Sequence, residues 1–127
     1  MIIADTDVLI DFLKGAKPHA DRVELELKTG GFATTAITVF ELLCGARTDR
    51  QRKAIDALLA AMTILPFGPQ EAKTAAKLRG QLEAEGQTIG MADFMIASIC
   101  LERSSILLTR NLKHFSRVPG LKISGNY

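Results

Sequence analysis

The sequence predicts an α/β fold in which a parallel sheet is covered by helices on both faces. Three observations lead there. Short apolar runs alternate along the chain with segments of helical periodicity. Strand-helix alternation favours parallel pairing, because a crossover helix returns the chain to the same end of the sheet. The strand runs, such as Ile2-Ile3-Ala4 and Ile106-Leu107-Leu108, are apolar throughout, as expected of strands buried on both faces. At 127 residues the chain makes a single domain, 1–127, large enough to bury its own core.

Taken in order, Ile2-Ile3-Ala4 is the first strand, cut off by Asp5-Thr6-Asp7. Any of these three could cap a helix from Val8 to Lys14, with Thr6 or Asp7 favoured and Asp5 then left free. Pro18 suits a helix start, with Ala20, Val23, Leu25 and Leu27 as apolar positions and Gly30-Gly31 as the end. Phe32 to Ile37 reads as the next strand. Thr38 is expected to cap a helix with Val39, Leu42, Leu43 and Ala46 on one face. A helix from about Arg50 to Ala61 leads into Thr63-Ile64-Leu65, which Pro66 ends. Pro69 opens a long helix that continues to Gly86. Gly80 inside it costs about 1 kcal/mol relative to Ala unless close packing demands it. Gly90 precedes a helix from Met91 to Arg103. Then come a buried strand from Ser105 to Thr109, a single turn from Asn111 to Phe115, and Leu121-Lys122-Ile123 as a strand at the sheet edge.

Composition narrows the class. With 47% apolar and 24% charged residues the chain is globular, neither disordered nor fibrous. Two cysteines, Cys44 and Cys100, are too few for a disulfide framework and are expected as small buried hydrophobes in a reducing, cytoplasmic setting. The opening Met1-Ile2-Ile3-Ala4-Asp5 lacks the basic region of a secretion signal. No uncharged stretch is long and unbroken enough to span a membrane. Net charge is only +2, but no acid follows Glu102, whereas Arg103, Arg110, Lys113, Arg117 and Lys122 do. A second basic run lies at Arg47 to Lys53. Basic segments beside an acidic N-terminal part fit a polyanion held near a carboxylate site.

Ligands of parallel α/β sheets sit at the carboxyl ends of the strands. Asp5 stands there, after the first strand. Glu41 falls early on the third helix and points about 150° away from its apolar stripe. Its plain alternative is an exposed glutamate favoured by the helix dipole. Asp93 is the one charge between Gly90 and Leu101. A helix apolar nearly all round is buried, and an ionised carboxylate in it costs several kcal/mol unless paired or bound to a metal. The alternative is a first-turn cap. Asn111 follows the strand that ends at Thr109 and is otherwise a cap as well. His19 and His114 have no partner at ligand spacing and read as surface residues. Oxygen donors without a Cys or His cluster suit a hard cation, Mg²⁺ or Mn²⁺, an ion that activates water against phosphodiesters.

Four segments carry a resemblance: Ile-Ile-Ala-Asp-Thr-Asp-Val-Leu-Ile-Asp at 2–11, Ile-Thr-Val-Phe-Glu-Leu-Leu-Cys-Gly-Ala at 37–46, Ile-Gly-Met-Ala-Asp-Phe-Met-Ile-Ala at 89–97 and Leu-Leu-Thr-Arg-Asn-Leu-Lys-His-Phe at 107–115. In order and spacing they resemble the signature segments of PIN domains, and more narrowly of VapC-type ribonuclease toxins of bacterial type II toxin–antitoxin systems. The resemblance implies a three-layer α/β/α PIN-like fold with a central, mostly parallel sheet of about five strands. It implies a Mg²⁺-dependent endoribonuclease, with Mn²⁺ able to substitute, acting on transfer or ribosomal RNA. It also implies a homodimer, an antitoxin partner and operator DNA bound only through that antitoxin. By position, Asp5, Glu41 and Asp93 match the family's acids, Asp5 and Asp93 as the more direct metal ligands. Asn111 stands where many members have Asp. Thr6 and Thr109 match polar positions that hold carboxylates in place. Arg110 and Lys113, in the acid-free segment, are the candidate RNA contacts.

Three other readings compete. The first strand with Asp5-Thr6-Asp7 also resembles haloacid-dehalogenase phosphatases, but those need a later acidic pair, and this sequence has no acid after Glu102. A histidine ribonuclease would use His19 and His114 without metal. A catalytically weak or inactive PIN-fold binding module in a DNA-binding complex is the third, raised by Asn111 in place of an acid.

Overall fold

The structure, a computed structural model, describes residues 1–125. Its elements are β1 (Ile2–Ala4), α1 (Thr6–Lys14), α2 (His19–Thr29), β2 (Phe32–Thr35), α3 (Ala36–Gly45), α4 (Asp49–Ala60), β3 (Thr63–Leu65), α5 (Pro69–Ala84), α6 (Met91–Glu102), β4 (Ile106–Leu108), α7 (Leu112–Phe115) and β5 (Lys122–Ser124). The five strands form one sheet in the order β3-β2-β1-β4-β5, every pair parallel. β1 is therefore central, and the order reverses between it and β4. At that reversal the two carboxyl ends are joined tightly, with the Asp5 N–H donating to Leu108 O at 2.9 Å.

The inner strands β2, β1 and β4 are buried on both faces because their residues alternate between two cores. Ile3, Ala33 and Leu107 face one core, built with Leu78 and Leu82 of α5, Phe94 to Cys100 of α6, and Phe115 of α7. Ala4, Phe32 and Leu108 face the other, built with Val8 and Leu9 of α1, Val23 of α2, Leu42 of α3, and Ile55 and Leu58 of α4. These are the three layers the sequence predicts. Burial pushes the Cys100 thiol up to about 12, so it is an inert core residue.

Several local expectations are corrected. α1 begins at Thr6, and its N-cap is Asp5, whose Oδ1 accepts from the Thr6 N–H, in place of Thr6 or Asp7. β2 stops at Thr35, where its pairing with Leu65 ends, and Thr35 rather than Thr38 caps α3. The buried residues of α3 are Thr38 and Leu42; Leu43 and Phe40 are exposed, Phe40 by 67%. Leu25 is exposed as well, and Cys44 is exposed rather than buried. In each case the tertiary neighbours, not the local pattern, decided which side faces a core.

Two glycines differ in their reasons. At Gly125 a Cβ would lie 2.9 Å from Thr109 O and 2.7 Å from Leu112 Cδ2, so the segment after β5 presses on the turn that follows β4. At Gly80 a Cβ would meet nothing within 4 Å, so no packing there requires glycine. Gly80→Ala should therefore raise stability by roughly 0.5–1 kcal/mol through the lost chain entropy of glycine. Urea unfolding should show a higher midpoint at an unchanged slope, whereas Gly125→Ala should lower the midpoint.

Candidate active site

The carboxyl edge at the β1–β4 junction gathers the acidic residues. Asp5 is buried there and has both oxygens engaged. Oδ1 accepts from the Thr6 N–H at 2.8 Å, and Oδ2 accepts from the Thr109 hydroxyl at 2.7 Å. Burial, then the neighbouring charge of Asp7 and more weakly that of Asp93, push its carboxyl up to about 7 against the pull of those two hydrogen bonds. Capping a helix and belonging to a site are thus one role for Asp5, since its cap bond uses only one oxygen.

Glu41 reaches the same edge from the second turn of α3. The Thr6 hydroxyl donates to its Oε1 at 2.6 Å, which ties α3 to the first turn of α1. The outward pointing read from helical phase is therefore correct, but the residue faces Thr6, not bulk solvent. Ile37 packs on one core and Leu42 on the other, so α3 touches both and carries Glu41 between them.

Asp93 lies in the first turn of α6, its side chain 21% exposed, on a helix whose next turns are buried. Gly90 caps that helix without a side-chain hydrogen bond. Asp93 does not cap it either: its Oδ2 lies 3.3 Å from His114 Nδ1. The same Nδ1 lies 3.0 Å from Asn111 Nδ2. One ring nitrogen cannot accept from the amide and donate to the carboxylate at once, so the two contacts are alternatives set by the tautomer. Asn111 occupies the N-cap position of α7, yet its side chain makes no cap bond. Its backbone N–H donates to Thr109 Oγ1 at 2.9 Å. Glu41, Thr6, Asp5, Thr109, Asn111, His114 and Asp93 thus form one arc of contacts, assembled from α1, α3, α6 and the turn after β4.

His114 keeps the exposure expected of a surface residue, its side chain 41% exposed, but its ring also belongs to this arc. A signal existed in its spacing, three residues after Asn111, which puts both on one face of a helical turn. His19 is off the surface, its Nδ1 3.1 Å from Asp11 Oδ2. That buried Asp11 takes the Arg110 guanidinium at 3.2 Å, and Asp7 accepts the Arg110 backbone N–H at 3.3 Å. Arg110 is therefore tied along α1, while Lys113 stands exposed on α7.

Among the described residues no three His, Cys, Asp or Glu side chains stand close enough to cage a metal ion. The donor set still fits a small hard cation. Such an ion takes one or two carboxylates and completes its shell with water and substrate phosphate. Asp5, on which the charge of Asp93 acts, and Asp93 would be the pair to hold it. A cation there would offset the repulsion and burial that hold Asp5 near neutrality. The groove between α5 and α6, about 470 Å³ and lined by Phe67, Ala75, Gly80, Met91, Phe94 and Met95, contains none of Asp5, Glu41 or Asp93.

The comparisons with known proteins agree with this geometry. The PIN domain family model matches residues 2–121. A relative from Salmonella typhimurium named tRNA(fMet)-specific endonuclease VapC is 29% identical over 94% of this chain and 92% of its own. Ribonuclease VapC10 of Mycobacterium tuberculosis is 30% identical over 96% of this chain and 91% of its own. The fold superposes on the crystal structure of VapBC2 from Rickettsia felis bound to a promoter DNA fragment, with TM-score 0.89, 26% identity and full coverage of both chains. It superposes likewise on DNA-bound VapBC from Salmonella typhimurium, with TM-score 0.87, 28% identity and coverage of 97% and 96%. Fold, acidic arc and these similarities together establish that the chain belongs to the PIN-domain family, as a VapC-type member.

Proposed function

We propose that this chain is a metal-dependent endoribonuclease, the toxin of a toxin–antitoxin pair, that hydrolyses RNA phosphodiester bonds. The observation that carries the reading is the meeting of Asp5, from the end of β1, with Glu41 of α3 and Asp93 of α6 at one sheet edge, where Asp5 is held at a cost in burial and repulsion that a structural role would not need. Mg²⁺, or Mn²⁺ in its place, would be held by Asp5 and Asp93 with Glu41 beside them, and when bound supplies a Lewis acid for the phosphate and activates water. The chain's own residues do the rest. Thr109 and the Thr6 N–H fix both oxygens of Asp5. Thr6 takes one oxygen of Glu41 and leaves the other to orient water. His114 flanks Asp93, in the tautomer that leaves Asn111 free. Lys113 offers an exposed cation to the RNA backbone, and Arg110 stays anchored by Asp11.

The name of the Salmonella relative makes transfer RNA the first substrate class to try and ribosomal RNA the second. The VapBC complexes among the structural neighbours support an antitoxin partner, with operator DNA reached through it. A homodimer in the cytoplasm completes the proposal. Two apolar surfaces are open for these partners, Phe40 with Leu43 on α3 and the groove between α5 and α6. No helix of the described residues is long and apolar enough to cross a membrane.

Purified protein should cut RNA with Mg²⁺ or Mn²⁺ and leave 5′-phosphate ends, and EDTA should stop it. Asp93→Asn should abolish cleavage while the metal-free melting temperature holds or rises, because a carboxylate repulsion is removed. Cleavage that survives EDTA, or 2′,3′-cyclic phosphate ends, would overturn the reading in favour of His114 chemistry.

The raised carboxyl of Asp5 gives a pH test. In the unfolded chain Asp titrates at its ordinary value of 3.8, and in the fold at about 7. The metal-free fold therefore binds more protons than the unfolded chain between these values, and its stability falls as pH rises through that window. The loss should reach roughly 2–4 kcal/mol above pH 7. Urea unfolding at pH 5 and pH 8 should show this for wild type and a much flatter profile for Asp5→Asn. A third measurement separates the two cations of the turn. Lys113→Ala should lower the salt slope of RNA binding by about 1 without loss of stability. Arg110→Ala should instead lower the melting temperature, because it strips buried Asp11 of a partner.

A further inference from the structure

Thr38 stands outside the acidic set, fully buried at the third position of α3. Three threonine hydroxyls and one carboxylate form a row there. Thr35 Oγ1 lies 3.3 Å from Thr38 Oγ1, which lies 3.0 Å from Thr6 Oγ1, which lies 2.6 Å from Glu41 Oε1. Counting protons gives the row one direction. A carboxylate has no proton to give, so the Thr6 hydroxyl spends its single proton on Glu41. The Thr6–Thr38 contact must then be donated by Thr38. With that proton spent, the Thr35–Thr38 contact must be donated by Thr35. Thr35 Oγ1 in turn accepts from the Thr38 backbone N–H at 3.1 Å, which anchors the far end in the first turn of α3.

Resting on the reading of Glu41 as an active-site carboxylate, we propose that Thr38 is a positioning residue for Glu41, acting through Thr6 along an oriented hydroxyl chain Thr35→Thr38→Thr6→Glu41. Each bond polarises the next, so the donation that reaches Glu41 is stronger and better aimed than one from an isolated threonine. The row also crosses from α3 to α1 and back, which holds Glu41 in register with Asp5, the neighbour of Thr6 in sequence. A threonine that only filled space could be replaced by its isostere Val at no functional cost.

Thr38→Val keeps the shape and removes the hydroxyl, and Thr38→Ser keeps the hydroxyl. Thr38→Val should lower kcat for RNA cleavage about tenfold, the lower end of what losing an outer hydrogen-bond partner of a site carboxylate costs. KM for RNA should stay within about twofold, because no RNA contact is touched. Thr38→Ser should restore most of the rate. Combined with Thr6→Val, Thr38→Val should add nothing, because its path to Glu41 is already cut. A readout independent of cleavage is the ¹³C shift of the Glu41 side-chain carboxyl in metal-free protein at fixed pH. It should move in Thr38→Val and return in Thr38→Ser. An unmoved Glu41 resonance, a full further loss in the Thr6→Val background, or a rate loss that only tracks a lower melting temperature overturns the proposal. If the resonance moves as expected while wild type cuts no RNA, the nuclease reading fails and the positioning chain stands.

Discussion

The hydrogen bond from the Thr109 hydroxyl to Asp5 Oδ2, 2.7 Å long, joins residues 104 positions apart. Everything at the carboxyl edge depends on it. β2 and β3 lie on one side of β1 and β4 and β5 on the other, and the bond forms where that order reverses. Thr109 also accepts the Asn111 N–H, so the same hydroxyl sets the turn that carries Asn111, Lys113 and His114. On the other side, the second oxygen of Asp5 starts α1 and places Thr6 against Glu41. A single buried hydroxyl thus sets the spacing of both arms of the arc.

The arrangement carries an electrostatic cost. Asp5 is buried beside Asp7 and within reach of Asp93, and its carboxyl rises to about 7 despite two hydrogen bonds. Asp7 is also raised, mainly by burial, although Arg110 works the other way. Chains under no functional demand do not gather carboxylates in a half-buried cluster, because each pair raises the free energy of the folded state. The stability lost at the edge is offset by two apolar cores, one on each face of the sheet, which the site does not interrupt. Function and stability are therefore separated in space: the acids gather at the carboxyl edge of the sheet, outside the two apolar cores.

The basic residues are sorted by the same logic. Arg110 sits next to the site in sequence, yet its guanidinium lies on Asp11, which is also in contact with His19. This set, centred on buried Asp11, ties the turn after β4 to the second turn of α1 and the start of α2. Lys113, three residues on, has no such anchor among the described residues and is exposed.

How much was legible follows from the range of the interactions involved. The sequence by itself determined the strands, the helices and the parallel architecture, because apolar runs and helical periods are local and the hydrophobic effect acts on them without regard to partners. It also marked Asp93, since one charge in an otherwise uncharged helix is conspicuous before any folding is considered. Only the tertiary structure decided which residue caps α1, that Thr35 and not Thr38 caps α3, and that Leu43 and Cys44 face outward, because each depends on where a strand stops against its neighbour. The membership of His114 and the row of threonines behind Glu41 belong to the same class. Hydroxyl and imidazole groups act within about 3 Å and in specific directions. Which of them meet is settled by the crossing of α1, α3, α6 and the turn after β4, a relation that no local stretch of the sequence contains.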